Sequence, residues 1–95
     1  MSDVIHVYIL RCADGSYYVG LTEDLEGREN AHNNGRGSTY TFLRRPVRLV
    51  YSESYDSLEK AVGRERQLKR WSRTKKKALI VGDAATLKQL SKRRS

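Results

Sequence analysis

Between Arg64 and Lys77 the chain carries eight basic residues and a single acidic one, Glu65. The spacing predicts a helix here, with Leu58, Ala61, Val62 and Leu68 as its apolar stripe and Trp71 near the edge. Glu65 lies four residues after Ala61 and three before Leu68, so it falls on the same inward stripe. A carboxylate in that position needs a metal or a cation as partner, since an unpaired buried charge is costly. The plainer alternative to a metal is an ion pair with an arginine such as Arg28. Arg28 and His32 are four apart and follow Leu25 by three and seven, which puts all three on one helix face. Here the plainer alternative is a packing histidine, with Arg28 paired to Asp24. Two tyrosines upstream, Tyr8 and Tyr18, widen the set. Phosphodiester hydrolysis needs a base near the attacking water and a cation for the developing charge, often with a metal on a phosphate oxygen. Tyrosine, histidine, arginine and glutamate can supply those roles.

The elements that would position these groups begin with a hairpin. Residues Val4 to Leu10 and Tyr17 to Thr22 are β-rich runs, and Ala13-Asp14-Gly15 is turn chemistry closing on a left-handed glycine. A three-residue loop places Leu10 opposite Tyr18 and Tyr8 opposite Gly20. Cross-strand partners share a face. His6, Tyr8, Leu10, Tyr18 and Gly20 therefore form one face, expected to stay open. Ile5, Val7, Ile9, Tyr17, Val19 and Leu21 form the other, expected to be the core face. A glycine across from Tyr8 is expected to leave room for a phosphate beside the phenol hydroxyl. A two-residue loop would shift the register by one and dissolve the arrangement.

After a short tail, Met1 to Asp3, and the hairpin, a helix is expected from about Leu25 to Asn33. Thr22 or Asp24 would cap it, and Asn33-Asn34-Gly35 would stop it. Gly35 to Arg45 reads as a polar loop, where Tyr40 could stack on a base or pack on the domain. Val47, Leu49 and Tyr51 alternate with polar residues in a third strand ending near Tyr55. Asp56 or Ser57 caps the helix that carries Glu65. Ser72 caps another to Val81, Gly82-Asp83 breaks it, and Ala84 to Leu90 reads as a last turn or two before a basic tail. The order β-β-α-β-α-α makes a small α/β sandwich. At 95 residues the chain is expected to be one domain, with its core over about 4–80 and a basic extension over 81–95.

Charge is unevenly placed. Up to Leu43 there are three basic residues against six acidic; from Arg44 onward there are sixteen against five, and the whole chain carries +8. Such segregation favours a polyanionic partner, because each cation that meets a phosphate releases counterions. Arg44, Arg45, Lys69, Arg70, Arg73, Lys75, Lys76 and Lys77 read as the phosphate-contacting surface, against the plainer alternative of a solvated face. His6, on the tyrosine face, is a further candidate. Cys12 is the only cysteine, which excludes an internal disulfide or a cysteine zinc site. No apolar run reaches the roughly 18 residues of a membrane span. With no secretory signal either, the expected setting is cytoplasmic.

These residues resemble the GIY-YIG nuclease superfamily. Its two signature halves appear as His6-Val7-Tyr8 and Tyr18-Val19-Gly20. Leu25, Arg28 and His32 match the following helix, Asn33-Asn34-Gly35 comes next, and Glu65 sits in A-V-G-R-E-R-Q-L-K-R-W. The likeness spans about Val4 to Ile80 and is close to the small stand-alone bacterial subgroup. Three positions depart from the family pattern: His6 replaces the first signature glycine, Leu21 stands where lysine is frequent, and no asparagine follows Asn34. The resemblance implies an α+β fold, a three-stranded antiparallel sheet flanked by helices. It implies a metal-dependent DNA endonuclease of low sequence specificity, with a role in DNA repair or recombination. Glu65 would hold a single divalent cation, Mg²⁺ or Mn²⁺. Arg28 would bind the scissile phosphate, Tyr8 would assist the attacking water, and Tyr18 and His32 would complete the site. The expected partner is DNA, with RNA left open, and the expected state is a monomer. A binding module of the same fold with little catalysis is the alternative, and an adaptor binding a protein through its basic helices is a third reading.

Overall fold

The computed structural model describes residues 4–92. The short tail over 1–3 and the end of the basic tail, 93–95, lie outside the described residues. Strands β1 (Ile5–Arg11) and β2 (Tyr17–Thr22) form the hairpin. Gly15 closes the turn at φ 86°, in the left-handed region that glycine enters without steric cost. Its N–H donates to the Cys12 carbonyl at 2.9 Å, and the Cys12 N–H donates to the Ser16 carbonyl at 2.8 Å. The register is the expected one: Tyr8 faces Gly20 and Leu10 faces Tyr18.

Helix α1 (Leu25–Asn33) follows, capped by Asp24, whose side chain accepts the Gly27 N–H. The supposed loop then holds a short helix, α2 (Thr39–Phe42), that the sequence reading lacks. Ser38 nucleates it by accepting the Thr41 N–H at 3.1 Å, the ordinary work of an N-cap serine. Strand β3 (Arg48–Tyr55) pairs antiparallel with β1, giving the sheet order β2-β1-β3. Helices α3 (Leu58–Arg70), α4 (Arg73–Val81) and α5 (Ala84–Lys92) complete the chain. Ser57 and Ser72 cap α3 and α4 as expected, and Gly82 ends α4 in the left-handed conformation. The last helix runs nine residues rather than a turn or two. No helix among the described residues is long and apolar enough to cross a membrane.

Both faces of the sheet are covered. Val7, Ile9 and Val19 pack with Ala61 and Leu68 of α3 on one side. Tyr8, Leu10, Cys12 and Val47 form a second cluster on the other, with Tyr18, Leu25 and Leu49 against it. The tyrosine face is therefore not open, as the sequence suggested: Tyr8 is 3% exposed and Leu10 fully buried. Leu10, Cys12 and Val47 are apolar enough to need a cover, and α1 with Leu25 supplies it. Leu58, placed on the apolar stripe of α3, is exposed instead. The third strand also departs from simple alternation. Ile9 faces Tyr51 while Leu10 faces Leu49, so Val50 is an extra, bulged residue. A bulge of this kind resets which way the side chains point. Leu49 thus joins the tyrosine side, while Val50 and Tyr51 pack on the α3 side.

A polar lock ties α3 to the sheet. Glu53 lies opposite Val7, on the core side of β3. Its carboxylate accepts the hydroxyls of Tyr51 at 2.5 Å and Tyr55 at 2.6 Å. It also accepts two N–H bonds from Arg64, at 2.9 and 2.8 Å. Burial alone would raise the Glu53 pKa; the Arg64 fork and the two phenols outweigh it and hold the carboxyl down at about 2. The Tyr51 phenol is pushed up to about 12, first by burial and then by Glu53.

Candidate active site

The Tyr8 ring lies across Gly20. A Cβ at Gly20 would stand 2.5 Å from the Tyr8 hydroxyl, so the space expected for a phosphate is filled by the phenol itself. Tyr8 Oη is 3.0 Å from His32 Nε2. His32, buried on α1, has its Nδ1 2.7 Å from Thr41 Oγ1. The Thr41 hydroxyl donates to the Ser38 carbonyl at 3.3 Å. With the Thr41 proton on that carbonyl, Thr41 Oγ1 accepts from His32 Nδ1–H and His32 Nε2 accepts from the Tyr8 O–H. The order Tyr8, His32, Thr41, Ser38 is then one directed chain of donors. A Cβ at Gly37 would run into the His32 ring, so the loop before α2 presses the imidazole into place.

Electrostatics set the protonation states. Burial, then the nearby Tyr18, push the Tyr8 phenol well above its ordinary pKa; Arg28 pulls it down and Glu65 pushes it up. The phenol therefore keeps its proton at neutral pH. Burial, then the charge of Arg28, lower the His32 pKa below the ordinary 6.5, so the imidazole is neutral and able to accept a proton. A Thr41→Val variant strands the buried Nδ1–H without an acceptor. It is expected to cost about 1–3 kcal/mol of folding stability, read as a lower midpoint in urea, whereas Thr41→Ser should recover most of it.

Tyr18 stands beside this chain, its ring centroid 5.1 Å from that of His32 and 6.5 Å from that of Tyr8. Tyr40 stacks on Tyr18 at 6.1 Å, and the Arg44 guanidinium lies 3.8 Å over the Tyr40 ring. Of the two expectations for Tyr40, packing on the domain is the one observed, and the residue remains 37% exposed. Arg28 lines a hollow of about 260 Å³ with Thr22, Asp24, Gly27 and Ala31. Among the described residues it has no ion-pair partner: Asp24 is spent on the helix cap. Glu65 does not pair with Arg28; its Oε2 meets Lys69 Nζ at 3.2 Å, one helical turn on. The structure thus brings Tyr8, Tyr18 and His32 into contact and sets Arg28 and Glu65 within electrostatic reach of the Tyr8 hydroxyl.

No group of three or more His, Cys, Asp or Glu side chains among the described residues could enclose a metal ion. Glu65 offers one carboxylate, mostly shielded at 17% exposure and ion-paired only with the half-exposed Lys69. That donor fits a hard divalent ion such as Mg²⁺, which keeps several waters and binds through one or two carboxylates and substrate phosphate.

Other expected residues are placed elsewhere. His6 hydrogen-bonds Ser54 across the sheet at 3.0 Å, apart from this cluster. Of the basic set, Arg44 is held by Asp14 at 3.1 Å and by the Tyr40 carbonyl. Arg45 binds the Phe42 and Asn33 carbonyls. Arg73 binds the Gly15 carbonyl and lies over Tyr17. Lys75 covers Trp71 at 4.2 Å, and burial lowers the Lys76 pKa. Lys69, Arg70 and Lys77 are exposed. Five of the eight cations, Lys69 included through its ion pair with Glu65, thus make intramolecular contacts that the charge count could not reveal. Missing from the sequence reading are Ser38 and Thr41. Their signal was the Ser-x-x-Thr spacing of an N-cap, masked by reading the stretch as loop.

The fold thus sets paired tyrosines on a hairpin, an arginine and a histidine on the next helix, and a glutamate on a later one. A profile of the GIY-YIG catalytic domain matches residues 4–78, and the chain belongs to that nuclease family. It is 49% identical over 78 residues to the UPF0213 protein SSP2268 of Staphylococcus saprophyticus, covering 82% of this chain and 95% of that one. A UPF0213 protein of Staphylococcus aureus is 47% identical over 74 residues, covering 78% and 90%. The solution NMR structure of the UPF0213 protein BH0048 from Bacillus halodurans superposes with a TM-score of 0.54 at 42% identity, over 82% of this chain and 83% of that one. That of protein EF2693 from E. faecalis gives 0.59 at 31% identity, over 86% and 88%.

Proposed function

We propose that the chain is a metal-dependent endonuclease hydrolysing phosphodiester bonds of DNA with low sequence specificity, in repair or recombination in the cytoplasm. The observation that carries this reading is the Tyr8–His32 hydrogen bond, with Arg28 and Glu65 in electrostatic reach of the phenol. Tyr8 cannot act as a preformed phenolate, because its pKa is raised. It accepts the proton of an attacking water while passing its own to neutral His32, which Thr41 holds in the receptive tautomer. Arg28, unpaired, holds the scissile phosphate and meets the charge that grows on it. Tyr18, whose hydroxyl makes no hydrogen bond among the described residues, lies where it can orient the water or the phosphate. Glu65 would hold one Mg²⁺ or Mn²⁺, with Lys69 swinging aside; when bound, the ion supplies charge neutralisation at a phosphate oxygen.

The near-complete burial of Tyr8 favours a second reading, a nucleic-acid-binding module with little catalysis. One assay separates the two. Branched, nicked and single-stranded DNA are incubated with the protein and Mg²⁺ or Mn²⁺. The nuclease reading expects Glu65→Gln to cut about 10³-fold more slowly than wild type, a loss of several kcal/mol of transition-state stabilisation. Equal, background-level cleavage by both defeats it. Salt-sensitive DNA binding with no cleavage leaves the second reading in possession.

A further inference from the structure

Helix α2 ends in a ridge that the catalytic reading does not use. Tyr40, Phe42 and Leu43 are 37%, 48% and 72% exposed within four residues of chain. Single exposed apolar side chains are ordinary; a cluster on so small a surface is less so. Each aromatic ring has an arginine beside it. Arg44 lies 3.8 Å over Tyr40, and Arg45 lies 4.4 Å over Phe42. Phe42 also walls an open hollow of about 270 Å³ whose other lining, from Gly35 to Thr39, is polar and includes Arg36. Arg36 is exposed and has no ion pair among the described residues. The ridge is joined to the candidate active site by ring contacts: Tyr40 stacks on Tyr18, and the Tyr18 ring meets that of His32 at an interplanar angle of 60°.

Aromatic rings interleaved with arginines match one kind of ligand well. An unpaired nucleobase has an apolar face to stack and a phosphate on either side to meet a cation. An intact duplex hides those faces between its neighbours. Apolar protein or lipid would match Phe42 and Leu43 but leave Arg36 and Arg45, which have no ion pair among the described residues, without counter-charge; Arg44 already has Asp14. We propose that the α2 ridge binds unpaired bases of a polynucleotide. The substrate class is therefore nucleic acid with a single-stranded segment, a flap, a branch or a free strand, rather than uninterrupted duplex. This rests on the nuclease reading in one respect: the ridge delivers the adjoining phosphate to the tyrosine cluster.

The test measures binding by fluorescence anisotropy with full-length protein, no divalent metal and excess chelator. The probes are a labelled 12-nucleotide single strand and the blunt duplex of the same sequence. Wild type is expected to bind the strand more tightly than the duplex. Phe42→Leu, which keeps apolar bulk but removes the stacking face, is expected to weaken strand binding about tenfold and duplex binding less than twofold. Phe42→Tyr restores the face and is expected to restore strand affinity. Unchanged strand affinity in Phe42→Leu, or an equal loss on both probes, overturns the proposal. So does a wild type that binds neither probe. A protein that passes this test yet shows no metal-dependent cleavage refutes the nuclease reading and keeps the ridge. One that cuts DNA with no dependence on Phe42 refutes the ridge alone.

Discussion

Replacing Gly20 with alanine is expected to abolish cleavage, at least about 100-fold, while costing about 1–3 kcal/mol of stability. The reason is local. The new Cβ would stand 2.5 Å from the Tyr8 hydroxyl and 2.6 Å from the ring carbon that bears it. Both residues are buried in the sheet, so neither backbone can give way cheaply. The phenol must rotate, and rotation breaks its bond to His32 Nε2. Two measurements check this. A urea midpoint reports the overpacking, and single-turnover cleavage with Mg²⁺ or Mn²⁺ reports the lost proton path. A Tyr8→Phe variant is the companion. It removes the hydroxyl without adding an atom, so it should lose cleavage to a similar degree and leave packing largely intact. A Gly20→Ala protein that cuts as fast as wild type would show that the Tyr8–His32 pair plays no part in the chemistry.

Arg64→Ala is expected to be the most destabilising single change on the opposite side of the sheet. It removes both N–H donors from Glu53, whose side chain is 17% exposed. A half-buried carboxylate would remain with only two phenols. Breaking a buried pair costs about 3–5 kcal/mol, and partial exposure brings the expectation to the lower end. For a chain of this size each kcal/mol moves the melting temperature by about 4–8 °C, so a fall of 10 °C or more should appear in calorimetry. The same lock predicts a pH dependence. Glu53 titrates at about 2 in the folded protein, against 4.5 when free. The folded pKa is depressed, so its stabilisation is fully present above about 4.5 and is lost as pH falls towards 2. The lost contribution is about 3 kcal/mol, at 1.36 kcal/mol per unit. Glu53→Gln should flatten that slope. If acid stability is the same in both proteins, the carboxylate is not what the fold protects.

Much of this architecture was legible in the chain because it is written in local chemistry. Gly15 in a three-residue turn fixes which residues face one another, and Asp24, Ser57 and Ser72 mark helix starts by their side-chain acceptors. What escaped was decided by partners distant in sequence. The bulge at Val50 has no composition of its own; it shows only in how β3 pairs with β1. Glu53 looks like an ordinary alternating strand residue until Arg64, eleven positions later, is folded over it. Glu65 lies near the inward stripe, but the cation that meets it is Lys69, one turn away, and not Arg28. Thr41 was hidden for a similar reason. Its hydroxyl matters only because His32 points at it, and no spacing rule links the two. Tyr8 was expected on an accessible face because its neighbours in the strand gave no hint that α1 would settle over them.

The extra residue in β3 has a consequence for how such a domain can change over time. By turning Leu49 one way and Tyr51 the other, it lets three strands serve as a wall between two rooms. One room holds the tyrosines, the histidine and the arginine-studded ridge; the other holds the Glu53–Arg64 lock that anchors α3. Substitutions in the first are screened by a layer of backbone from the second. The ridge can therefore drift in sequence, and with it the choice of nucleic acid, while the anchoring remains untouched. The molecule can be re-aimed without being refolded.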